Sequence, residues 1–256
     1  EGPLCGCEQH QSSHWVVVHL EKSTPCAGLY QTLTLYASTG RHVPRGVFFS
    51  QLIQQHFLIS DLLTDDSKDS PSEGFASQQR QIAASYLERG KELEDQLLKL
   101  GSSYMELQQD MRDRLDALVE RTEGYGWHED LMRIYVVFGL LEDCQLRVAK
   151  GLTAARRARV EAMLSDNSLM DFCEQALSRS IADNPSLAND LALFGRAIVA
   201  DALLEVRDMV SFEALNLGRS EDVVSLTREQ FKLLEPLTSE LISQHTLRMD
   251  ALGLTA

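Results

Sequence analysis

The chain has 256 residues, 44% of them hydrophobic and 24% charged, with a formal net charge of −14. That length can bury one good core, or one core and an appendage, and the composition is that of an ordinary soluble globular protein. The acidic balance disfavours a free-standing nucleic-acid surface, and no stretch approaches the ~20 apolar residues that cross a bilayer. Five unevenly placed cysteines do not make a secreted disulfide framework, so a cytoplasmic protein with reduced thiols is expected.

Residues 1–45 differ in character from the rest of the chain. They hold Cys5, Cys7 and Cys26, four of the seven histidines, and two short β-favouring runs at 15–20 and 30–36 that could pair as a hairpin. Cys5, Cys7, His10, His14 and Cys26 are zinc-ligand types, and a zinc-holding module that recruits a partner is one reading of them. The spacing C-x-C-x2-H-x3-H fits no usual pairing of metal knuckles, however. The other readings are a loosely ordered extension or sequence upstream of the natural start.

From residue 46 onward the pattern is helical, and residues 46–256 are expected to form one bundle domain. Apolar spacing predicts a helix over 47–63, ended by the Ser-, Pro- and Gly-containing loop 64–74, and a second over 76–99, stopped at Gly101. Further helices are predicted at 105–121, closed by Gly124 and Gly126, and at 127–150. Thr153 is the expected N-cap of a helix over 154–164, whose Arg156, Arg157 and Arg159 read as a solvated helix end. Next comes 166–182, closed by Asn184-Pro185, and then a helix of about thirty residues over 187–217. The last, 222–252, is expected to break or kink at Pro236. Short loops between long amphipathic helices predict an all-α antiparallel bundle.

Within 127–150, WHEDLMRIYVVFGLLEDCQLRVAK, the acids Glu142 and Asp143 interrupt an apolar stripe of Leu131, Ile134, Tyr135, Phe138, Leu141 and Val148. Acidic pairs are seldom buried without a compensating cation. Cys144 and Cys173 have the character of core residues. No catalytic triad or glycine-rich phosphate loop is present.

Three segments, RTEGYGWHEDLMRIYVVFGL (121–140), PSLANDLALFGRAIVADAL (185–203) and SQHTLRMDALGLTA (243–256), resemble ferritin-like bundle proteins of the actinobacterial group related to methylthio-isopentenyl-adenosine tRNA hydroxylases. The resemblance covers about residues 46–256 and implies a ferritin-like four-helix bundle with additional helices. Catalytic members of that superfamily hold two irons with one carboxylate from each of two helices and a carboxylate-x-x-His pair from each of the other two.

On that pattern the first helix's carboxylate position falls on His56. The second helix's pair falls on Tyr86-Leu87-Glu88-Arg89, the third helix's acid on Asp143 beside Glu142, and the fourth helix's pair on Asp166-Asn167-Ser168-Leu169. The resemblance therefore implies degenerate di-iron ligands, with Tyr86, Arg89 and Leu169 as substitutions at a remnant site. It further implies a central polar cluster of His56, Tyr86, Arg89, Asp143 and Asp166, in which either acid pairs with Arg89. The expected function is a non-catalytic bundle protein without a cofactor that acts by binding or assembly, as a homodimer through its long helices. The alternative is a non-haem iron oxygenase similar to the tRNA hydroxylases, with His56, Asp143 and Asp166 holding one metal ion and tRNA as partner. His245 and Arg248, one turn apart, are expected to cap carbonyls or line an interface.

Overall fold

Chain breakers and caps divide the sequence into long antiparallel helices. The computed structural model describes residues 45–98, 104–150, 152–211 and 223–256, and the strands, zinc-ligand types and Gly101 cap anticipated above lie outside them. Helix α1 spans Arg45–Asp66 and α2 spans Glu73–Leu98. Helix α1 stops at Asp66, where the Ser67 hydroxyl donates to the Thr64 carbonyl at 2.8 Å, and Ser72 starts the next helix, its hydroxyl accepting a hydrogen bond from the Phe75 amide at 3.2 Å. Helix α3 is Tyr104–Arg121. Helix α4 runs without a break through Trp127–Arg133, a π-helical turn at Ile134–Phe138, and Gly139–Ala149. Helix α5 is Ala154–Leu164, α6 is Ser168–Asp183, α7 is Leu187–Ser211 and α8 is Val223–Ala251.

Thr153 is the N-cap residue of α5, as expected, although its side chain makes no cap bond; its carbonyl takes the first helical bonds, from the Arg156 and Arg157 amides. Of the break or kink expected at Pro236, the break is absent: α8 continues through this proline, which costs one backbone bond. Asp166 lies in the turn before α6, not on the helix itself, and accepts the Ser168 amide at 3.0 Å. The chain enters α4 over Gly126, whose φ of 122° suits glycine. The Glu129 carboxylate caps that turn by accepting the Tyr125 amide at 2.6 Å.

Helices α1, α2, α4 and α6 surround the centre. Helix α1 packs along α2 and α3, α2 meets α6, α4 meets α6 and α7, and α8 lies against α4 and α7. The main core joins Ile59 and Leu63 of α1, Ala83 and Tyr86 of α2, the whole π-helical turn, and Leu169, Cys173 and Leu177 of α6. A second cluster, with Phe48, Leu52, Leu93, Ala149 and Val160, closes the end nearest α5. At the opposite end Trp127 stacks on Phe75 with centroids 5.7 Å apart and donates its indole N–H to Gln79 at 3.0 Å. That partner satisfies the indole N–H inside the core.

Candidate functional site

The four central helices bring a polar cluster into this apolar interior. His56 of α1 is 1% exposed, and its Nδ1 lies 2.7 Å from the Leu52 carbonyl. A carbonyl only accepts, so Nδ1 carries the proton and Nε2 presents a bare lone pair, which has no hydrogen-bond partner. Burial, helped by the Arg89 charge, lowers the His56 pKa to about 4 despite the Leu52 bond. The imidazole is therefore neutral at physiological pH.

Tyr86 of α2 lies beside it, with ring centroids 5.2 Å apart. Its hydroxyl donates to Glu142 Oε1 at 3.1 Å. Burial and the Glu142 charge hold the phenol well above its usual range, so it remains a donor. Glu142, on the last part of α4, is pushed up to about 7 by burial, with Asp143 adding to the shift. The Tyr86 hydroxyl and the Arg248 and Arg89 charges oppose that rise. A carboxyl poised near neutrality thus faces a phenol and, through the ring, a neutral imidazole.

Arg89 lies over the Tyr86 ring, its guanidinium carbon 4.2 Å from the ring centroid. It donates to the Ser85 carbonyl at 3.3 Å and the Met163 carbonyl at 3.2 Å, tying α2 to α5. Of the two acids expected to meet it, Asp166 does so, at 3.3 Å, with side chains 15% and 44% exposed. Burial tends to raise the Asp166 carboxyl, but the Ser168 amide and hydroxyl and the Arg89 charge outweigh it and bring the pKa below its usual value.

Asp143 instead belongs to Arg248 of α8, which donates to its carboxylate at 2.7 Å and to the Gly139 carbonyl at 3.0 Å. Burial raises the Asp143 pKa, while Arg248 opposes the rise. A Cβ on Gly139 would lie 2.6 Å from Arg248 Nε, so this close approach needs a residue without a side chain. Arg147 and Glu240 pair across the same helices. His245, one turn before Arg248, is 4% exposed, and burial lowers its pKa.

The cluster differs from the expected set in two residues. Glu142, not Asp143, is the carboxylate bonded to Tyr86, and Arg248 is the cation that takes Asp143. The π-helical turn explains the first difference, because its extra residue offsets any regular register carried past Phe138. The second is a contact across 105 residues, which local spacing does not encode. Leu169 is fully buried in the core beside Cys173. Cys144 is pushed up to about 12 and Cys173 well above its normal value by burial, so both remain thiols.

Sequence reading also missed a third charged group. Arg133 is 4% exposed and pairs with Asp130 at 3.1 Å. Nearby Asp66 is raised to about 7 by burial, with Asp130 adding to the shift.

These donors do not fit a dinuclear iron centre, which needs roughly four carboxylates and two histidines. Asp143 and Asp166 each hold an arginine, Arg89 lies on the Tyr86 ring, and Leu169 supplies no donor. Among the described residues no group of three or more His, Cys, Asp or Glu side chains converges as a metal site.

A family model described as a ferritin-like domain of actinomycetes matches residues 49–219. The chain belongs to this ferritin-like family. Its fold is the all-α ferritin-like one. No curated protein shows significant similarity to it. Among its described residues no helix is long and apolar enough to cross a membrane.

Proposed function

We propose that this ferritin-like protein has lost the di-iron centre of its catalytic relatives and acts by binding or assembly. The observation that carries the reading is the Tyr86 hydroxyl bonded to Glu142 while Arg89 lies on the same ring and reaches Asp166. Two oxidisable cations between the helices would need those positions to be anionic or imidazole donors, and a guanidinium repels them. With Arg89 opposite Asp166 and Arg248 opposite Asp143, the centre balances its own charge without a metal, as buried ions require. The likeness of segments 121–140, 185–203 and 243–256 to tRNA hydroxylases supports descent from an oxygenase rather than retention of its chemistry.

The reading is tested by restoring the ligands. Tyr86→Glu with Arg89→His and Leu169→His returns a carboxylate-x-x-His pair to α2 and a histidine to α6. The redesigned protein is expected to take up iron that the wild type leaves in solution. Near-stoichiometric iron in the purified wild type would overturn the proposal.

One observation favours a second reading, a mononuclear iron oxygenase similar to the tRNA hydroxylases: the lone pair on His56 Nε2 is buried beside Tyr86, whose hydroxyl reaches Glu142. Under that reading, iron copurifies with the protein and is lost in His56→Ala. Wild-type protein that stays iron-free under iron-replete expression removes it.

A further inference from the structure

Helix α7 buries one side and leaves the other bare. Leu191, Ile198, Ala202 and Val206 face the core, whereas Leu193 is 66% and Leu204 46% exposed, with Ala197 and Ala200 exposed between them. Asp190 extends this stripe at one end and the partly exposed Arg207 at the other. The six positions follow intervals of three, four, three, four and three, the seam along which one helix packs on another.

The order of residue types is what selects the occupant. About a midpoint between Ile198 and Val199 the stripe is its own complement: acid, leucine, alanine, then alanine, leucine, base. We infer that this face docks the same face of a second copy of the chain, with the two α7 helices antiparallel about a two-fold axis at that midpoint. In this register each Leu193 meets the other copy's Leu204 and each Ala197 its Ala200, and the alanines let the backbones approach closely. Each Asp190 meets the other copy's Arg207. A parallel pairing would set acid on acid and base on base, which is unfavourable. An isologous contact of this kind closes at two subunits.

The neighbouring charges stay with their own chain. Arg196 donates to the Thr255 carbonyl at 2.8 Å, and Asp201 pairs with Arg121 at 3.3 Å. Asp190 has no ion-pair partner among the described residues. The Arg207 guanidinium carries five N–H donors, enough for a carboxylate in addition to its contacts within the chain. A single helix pair is small beside the ~1,200 Å² of a standard interface, so the dimer forms at micromolar concentration or above.

This inference deepens the assembly part of the proposed function, and the two fail separately: metal content tests the centre, solution mass tests the face. Analytical ultracentrifugation of the full chain from micromolar to submillimolar concentration should show a monomer–dimer equilibrium. Leu204→Glu should weaken it by roughly tenfold or more while leaving the helical circular dichroism unchanged. Asp190→Arg and Arg207→Asp should each weaken it, and the double exchange should recover it, because the paired positions swap together. A monomer at all concentrations, a dimer indifferent to Leu204→Glu, or a double exchange weaker than either single change would overturn the inference.

Discussion

At the scale of single residues, Glu142 carries the chemistry that distinguishes this centre. Its folded pKa of about 7 exceeds the ordinary value of 4.5, so between those values the native state holds a proton that the unfolded chain has released. Stability from this group is therefore present at acidic pH and lost as pH rises toward 7. Glu142→Gln keeps an oxygen to accept the Tyr86 hydroxyl but cannot ionise. Relative to wild type it should gain about 1–2 kcal/mol between pH 5 and pH 8, after discounting the shift for partial solvent contact. Urea unfolding at both pH values checks this, and a pH-independent difference would mean that Glu142 titrates normally. Arg89→Ala should cost about 1–2 kcal/mol, since it removes two carbonyl bonds and the cover of Tyr86 while half-exposed Asp166 can turn to water. A loss below ~0.5 kcal/mol would place the guanidinium outside the cluster.

At the scale of elements, a close approach at Gly139 helps to lock α8 to α4, beside the Arg147–Glu240 pair. Gly139, Asp143 and Arg248 meet only because the glycine leaves room for the guanidinium, so Gly139→Ala should act through Arg248. Its expected cost is about 2 kcal/mol, most of which should vanish when Arg248→Met is already present, because the two changes break one contact. Additive losses in that double-mutant cycle would show that the helices meet by apolar packing alone. The π-helical turn just upstream is wholly buried and held between α6, α7 and α8. It fixes which of two neighbouring acids faces Tyr86.

At the scale of the whole molecule, most helix limits are legible in the sequence to within a few residues. The Ser-, Pro- and Gly-containing loop 64–74, the Gly124–Gly126 turn and Asn184-Pro185 separate helices for local reasons, and the 3.6-residue apolar spacing fills the segments between. Asp166 falls outside its predicted helix because a short polar residue at a helix start is more useful as a cap. The central cluster is legible only in part. His56, Tyr86 and Arg89 lie on uninterrupted helices, and their adjacency follows from register. Glu142 sits beyond a π-helical turn that composition does not announce, while Arg248 and buried Arg133 find their acids through packing.

Anaerobic titration of the metal-free full chain with ferrous iron tests the central claim most directly. A centre balanced by its own arginines predicts weak, non-saturating uptake that does not change in Glu142→Gln. Tight, saturable binding of a pair of irons per chain, abolished by His56→Ala or Glu142→Gln, would contradict it.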